Sequence, residues 1–271
     1  MNSLKRNYEL ALEALEELAL ELAPTDIQEE RAERPPLQLA PPSLSEVLTQ
    51  FGTLPREALF LGAAYDELPI LLNLNDPTPG PILIVGDQSS GKTAFLQTIA
   101  QAIHLTHTPQ EVQFGIVTSH PDEWSGFEES KNCMGIFSTY HSDADNFILS
   151  LADWAHNNRR EERFAVLLID NLEAIMDIGE KAQQNLRWLL LRGPNRRVWS
   201  FVTQNTKYSK KTLPWLDSFR TRLFGHVSNN TRGAESILPT RNAALYLLEP
   251  GLEFILNENR QWVKFWIPSI K

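Results

Sequence analysis

Apolar residues change their spacing twice along the chain, and each change marks a different kind of element. Leu4, Tyr8, Ala11, Leu15, Leu18 and Leu22 recur in alternating steps of four and three, the seam of an amphipathic helix. Pro24 stops that helix, because proline lacks the amide that the next turn needs. Such a face can dock on its own domain or pair with a partner helix; three heptads alone make only a marginal coiled coil. Residues 24–56 lose the period and carry Pro24, Pro35, Pro36, Pro41, Pro42 and Pro55 among charges. They read as a partly extended linker with one short helix over 43–51. From about residue 58 short apolar runs alternate with helical segments. Strands are predicted over 82–85, 112–118, 164–169 and 198–203, with helices over 92–104, 144–157 and 183–191. Continuous apolar strands between helices imply a mostly parallel central sheet covered on both faces. Two further runs, 252–256 and 261–267, flank the polar turn NENR and predict a closing β-hairpin. The expected division is therefore a helix over 1–23, a Pro-rich linker over 24–56 and one α/β domain over 57–271.

Hydrophobic residues make up 42% of the 271 positions and charged residues 22%, which excludes a mostly disordered chain. The 25 Lys and Arg against 34 Asp and Glu leave a net charge of −9. That excludes a surface coated in positive charge, though not a local basic groove. A single cysteine, Cys133, excludes an internal disulfide framework and fits a reducing compartment. The longest apolar stretch, over 58–74, is broken by Asp66 and Glu67, too short to cross a bilayer. Glu9, Glu13, Glu16 and Glu17 stand where a signal peptide needs an uncharged core. A soluble, cytoplasmic protein without a transmembrane segment is expected. His104 and His107 lack a nearby carboxylate or cysteine and make a poor metal site.

The strongest chemical signal is Gly86-Asp87-Gln88-Ser89-Ser90-Gly91-Lys92-Thr93. It follows the apolar run PILIV and opens the helix TAFLQTIAQAI, the strand–loop–helix setting of a phosphate-binding P-loop. Gly86 and Gly91 let the backbone turn its N–H groups inward around a phosphate, and the helix N-terminus adds positive potential. Lys92 would neutralise the β- and γ-phosphates of ATP, and the Thr93 hydroxyl would ligate Mg²⁺. The apolar strand FAVLLI ends in Asp170, placed to hold Mg²⁺ through water. Hydrolysis needs one more carboxylate to orient the attacking water. The residue after Asp170 is Asn171, which cannot act as a base; Glu173 either substitutes for it or is a solvated residue at a helix start. Gln204, ending the strand VWSFVT, is a γ-phosphate sensor or a polar strand end. Arg192, Arg196 and Arg197 precede that strand, and any of them is a candidate finger toward a neighbouring subunit's γ-phosphate. Lys207, Lys210, Lys211, Arg220 and Arg222 cluster in KYSKKTLPWLDSFRTR, a candidate lining for nucleic acid or a solvated loop.

The order of these motifs resembles the FtsK/HerA superfamily of P-loop motor ATPases, closest to the FtsK/SpoIIIE branch, from about residue 58 onward. LFLGAAYDELPILLNL resembles the segment that leads into that family's first core strand, and VQFGIVTSHPDEW its strand ending in a polar loop. RRVWSFVTQN resembles the strand closing on a Thr-Gln pair, SFRTRLFGHVSNNTRGAESIL the following strand and helix, and LYLLEPGLEFILNENRQWVKFWI the terminal Gly-containing hairpin. The resemblance implies a RecA-like fold, ATP and Mg²⁺ as ligands, and a hexameric ring acting on duplex DNA. It makes Lys92 and Thr93 phosphate and Mg²⁺ ligands, Asp170 the acidic metal-site residue and Gln204 the sensor. Where the family has Glu after the acid, this chain has Asn171. Two other readings follow: a hydrolysis-poor assembly subunit holding a partner through its N-terminal helix, and a protein-secretion motor.

Overall fold

The computed structural model describes residues 41–158, 162–228, 237–238, 244–258 and 261–270. The helix expected over 1–23 and the linker as far as residue 40 lie outside the described residues. Within Pro41–Lys271, a compact unit, the strands are β1 (Ala58–Ala64), β2 (Pro69–Asn73), β3 (Ile82–Gly86), β4 (Val112–Thr118), β5 (Cys133–Ser138), β6 (Phe164–Asp170), β7 (Val198–Asn205), β8 (Thr221–Phe224), β9 (Glu253–Glu258) and β10 (Gln261–Trp266). The helices are α1 (Leu44–Phe51), α2 (Lys92–Thr106), α3 (Ser142–Asn157), α4 (Glu180–Arg192) and α5 (Ser209–Leu216).

Among the described residues ten strands form one sheet in the order β2-β1-β10-β9-β8-β3-β7-β6-β4-β5. From β8 to β5 every pairing is parallel; from β8 to β2 every pairing is antiparallel. The mostly parallel sheet flanked by helices and the closing hairpin β9–β10 match expectation. In β6, Phe164, Val166 and Leu168 pack toward α2 with Trp199 and Phe201. The alternate residues Ala165, Leu167 and Ile169 pack toward α3 and α4 with Ile148, Leu186 and Leu189. Burial on both faces is why these strands read as unbroken apolar runs.

The short helix expected over 43–51 is α1. Ser43 and Glu46 form a reciprocal capping box at its start, and Leu44, Val47 and Leu48 bury against Phe60 and Ala102. The segment entering α1 is tied to the far end of the chain: Leu44 N donates to Ser269 O at 2.8 Å, and Ser269 N to Pro42 O at 3.0 Å. Among the described residues no helix is long and apolar enough to cross a membrane.

Candidate nucleotide-binding site

Parallel pairing brings the ends of five strands to one edge of the sheet. Gly86 of β3 lies opposite Asn205 of β7, and Thr118 of β4 lies opposite both Asp170 of β6 and Ser138 of β5. The loop after Gly86 curls back over this edge before α2 begins. Ser89 (φ 61°) and Gly91 (φ 90°) take left-handed conformations, the kind of backbone that lets a loop present N–H groups to a phosphate, while Ser90 N–H donates to Asp87 O at 3.2 Å. The glycines also make room. A Cβ at Gly86 would lie 2.3 Å from Ser90 Oγ, and one at Gly91 2.5 Å from the Cα of Gly251. Gly251, in the turn before β9, donates its N–H to Ser90 O at 3.2 Å, so the loop is backed by the closing hairpin.

Lys92 is only 7% exposed, and its ammonium donates to Gly86 O at 3.1 Å and Ser90 Oγ at 3.3 Å within the loop. Burial pulls its pKa down, opposed by the carboxylates of Glu173, Asp170 and Asp87. Next to it Thr93 Oγ1 donates to one carboxylate oxygen of Asp170 at 2.9 Å, and Thr203 Oγ1 donates to the other at 2.9 Å. Asp170 is 2% exposed; burial pushes its carboxyl up, while the bonds from Thr203 and Thr93 and the charge of Lys92 hold it down. A hydroxyl and a carboxylate in contact, beside a buried ammonium and the N-terminus of α2, are the hard oxygen donors and positive groups that a Mg²⁺–triphosphate needs. The residues present fit that ligand.

Asn171 lines the cleft, but its amide cannot act as a base. Its backbone sits at φ 81°, a region where Asn is far more frequent than Glu, and its N–H donates to Thr203 Oγ1 at 2.7 Å. A 3₁₀ turn, Leu172–Asp177, then carries Glu173 into the cleft wall. Burial pushes the Glu173 carboxyl up, opposed by backbone N–H groups and Lys92. Its Oε2 is buried with no hydrogen-bond partner among the described residues. A buried acceptor left open beside a phosphate cradle is where an ordered water or substrate group fits.

The cleft has a volume of about 710 Å³. Of the motif residues, Gln88, Ser89, Gly91, Lys92 and Thr93 line it. Gly86, Asp87 and Ser90 shape the loop from behind: Asp87 accepts from Thr206 Oγ1 and, at 2.8 Å each, from the N–H and hydroxyl of Ser228.

Gln204 is fully buried and outside the lining; its amide donates to Asn205 O at 2.7 Å. Strand alternation explains this. Thr203 and Asn205 share the α2 face with Asp170, so Gln204 faces the other way. Asn205, not Gln204, lines the cleft. Arg192, Arg196 and Arg197 sit at the opposite end of β7, roughly 25 Å away along an extended strand. Arg197 donates to Glu162 O at 3.0 Å and stacks over Phe164. None reaches the cleft of its own chain.

The basic segment divides. Lys207 and Lys211 line the cleft, whereas Lys210 is exposed beside it. Arg220 lies at the other edge of the sheet, against Gly80, and Arg222 donates to Leu216 O at 3.3 Å. These five residues do not form one patch. His107 is buried between Thr106 Oγ1 and Arg56 O, and among the described residues no cluster of metal-ligating side chains stands apart from the cleft.

Thr203 was legible from strand alternation, since it shares the face of the apolar residues Trp199 and Phe201. Lys207 and Lys211 carried no such signal, because their approach depends on a 3₁₀ turn and helix after β7.

Comparison with known proteins agrees with this geometry. Residues 61–120 match the model of the FtsK/SpoIIIE family. No curated protein matches the chain in sequence. Among solved structures, EssC (ATPases 2 and 3) from Geobacillus thermodenitrificans is similar at 12% identity and TM-score 0.69, covering 88% of this chain and 48% of that one. Thermomonospora curvata EccC (ATPases 2 and 3), in complex with a signal sequence peptide, is similar at 14% identity and TM-score 0.67, covering 88% and 45%. The pCW3 conjugation coupling protein TcpA, monomer form with ATPγS, is similar at 16% identity and TM-score 0.64, covering 86% and 70%. The chain spans about half or less of the length of the secretion ATPases it matches. The expected resemblance to FtsK/HerA-type P-loop ATPases holds for the P-loop segment and the fold.

Proposed function

We propose that this FtsK/SpoIIIE-type ATPase domain binds ATP with Mg²⁺ in the cleft and hydrolyses it, with Glu173 as the carboxylate that orients the attacking water. The observation that carries the proposal is the buried, partnerless Oε2 of Glu173 in the same cleft wall as Asp170. Loop and helix-start N–H groups not already bonded within the loop would hold the phosphates, and Lys92 would exchange its loop carbonyls for phosphate oxygens. Thr93 and Asp170 would hold Mg²⁺, which when bound supplies charge neutralisation across the phosphates. Glu173, its pKa raised by burial, is a stronger base toward the attacking water than an exposed carboxylate. This favours hydrolysis over the reading as a hydrolysis-poor scaffold subunit, which rests on Asn171.

The resemblance extends the proposal to an oligomeric ring moving duplex DNA. A neighbouring subunit could then offer Arg192, Arg196 or Arg197, which lie at the sheet edge away from the chain's own cleft. A second reading, a protein-secretion motor, is favoured by the division of the basic segment between two edges of the sheet. It is in keeping with the fold likeness to EccC, a type VII secretion ATPase. Steady-state ATP turnover with and without linear duplex DNA, with Lys92→Ala as the blank, separates these. Turnover that rises with DNA supports the DNA motor, and turnover indifferent to DNA supports the secretion reading. Tight Mg·ATP binding with no turnover would overturn the hydrolysis proposal.

A further inference from the structure

Beyond β7 the chain makes a 3₁₀ turn, Thr206–Tyr208, and runs directly into α5. Lys207 and Lys211, four residues apart, thereby both line the cleft. The turn that carries them is anchored. Asn205 Oδ1 accepts from Lys207 N at 3.0 Å, and Thr206 Oγ1 donates to the carboxylate of Asp87 in the P-loop itself. That carboxylate is fixed in turn by Ser228 N and Oγ at 2.8 Å each. Among the described residues neither ammonium forms a salt bridge with a carboxylate, and Lys207 lies over the Tyr208 ring at 5.7 Å. Lys210, between them in sequence and equally charged, lies outside the lining.

We propose that Lys207 and Lys211 form a cationic wall, supplied by the chain's own α5 region, that reads the terminal phosphate of the nucleotide and so favours triphosphate over diphosphate. Asp87 acts as a positioning residue that fixes this wall against the phosphate loop. The inference rests on the nucleotide-site reading above and goes further, assigning discrimination to two residues that sequence patterning placed with nucleic acid. Lys92, from the loop, would meet the β- and γ-phosphates together with Mg²⁺. The γ-phosphate of the triphosphate adds negative charge that a further cation on the cleft wall can meet and that ADP lacks. Charge-assisted hydrogen bonds to phosphate in a partly enclosed site correspond to a change on the order of tenfold in affinity.

The test is calorimetric titration of the full chain with Mg·AMPPCP, a non-hydrolysable triphosphate, and with Mg·ADP. Wild type is compared with Lys207→Gln, Lys211→Gln, the double variant, and Lys210→Gln as a charge-matched control. The double variant is expected to lose about tenfold affinity for the triphosphate and little for ADP, with Lys210→Gln indistinguishable from wild type. Equal weakening toward both nucleotides, no weakening, or an equal effect of Lys210→Gln would overturn the proposal. A Lys92→Ala variant runs alongside. If Lys92→Ala loses both nucleotides while the double variant keeps the wild-type preference, only the lysine wall fails. If wild type binds neither nucleotide, or Lys92→Ala binds both normally, the nucleotide-site reading fails with it.

Discussion

The six strands from β8 to β5 and the four from β9 to β2 belong to one sheet, yet they serve the molecule differently. The six run parallel, so their following loops collect at one edge, and that edge holds the P-loop, Asp170, Glu173 and Asn205. The four antiparallel strands end alternately at both edges and cannot gather loops in this way. Their part is support. Phe254 of β9 and Phe265 of β10 pack on Phe95 of α2, with the first pair of ring centroids 4.9 Å apart. The turn before β9 meets the phosphate loop at Gly91 and Ser90. The antiparallel half thus holds the phosphate loop and its helix from behind, and the parallel half supplies the chemistry.

Substitutions in the two halves should therefore separate binding from stability. The largest effect is expected for Lys92→Ala in the parallel half. Nucleotide affinity should fall by roughly 100-fold or more, as a charged phosphate contact is lost. The unfolding midpoint should stay level or rise, since a buried ammonium is removed. Titration with a fluorescent nucleotide and a urea melt check the two. In the antiparallel half, Phe254→Ala should cost about 3–5 kcal/mol of stability, read by urea unfolding, while the folded fraction still binds nucleotide. Loss of both together would show that the halves are not separable.

A smaller effect concerns pH. His107, at the end of α2, is buried against Arg56 O, and burial holds its pKa below the ordinary 6.5, only partly offset by the Arg56 carbonyl and Glu111. The unfolded chain then binds a proton that the folded chain resists, so stability is full above about pH 6.5 and declines as pH falls below it. His107→Gln should flatten that decline between pH 7 and 5.5, although the variant is less stable at neutral pH. Urea melts across the range, compared as a difference between the two proteins, isolate the effect.

Legibility in the sequence followed burial. β3, β4, β6 and β7 were readable because both faces are covered and each holds a central run of mostly apolar residues. β5, CMGIFS, was not: each of its residues is only half-buried, and it stands at the sheet edge. α5 read as a basic loop because its lysines and the internal Pro214 hide four buried positions, Ser209, Thr212, Trp215 and Leu216. Within the site, Lys92, Thr93 and Asp170 follow from local motifs whose geometry is carried by one loop and one strand. Glu173 was legible only as an open alternative, because its approach depends on the φ of Asn171 and the 3₁₀ turn that follows. Gln204 was misplaced by reading the strand end without its alternation.

The central claim is that Glu173 performs the chemistry that Asn171 cannot. Its most direct test is Glu173→Gln, with ATP turnover and Mg·ATP affinity measured side by side on the full chain. Turnover reduced about 10²- to 10⁴-fold with affinity retained is the expected result. Turnover equal to wild type would contradict the claim.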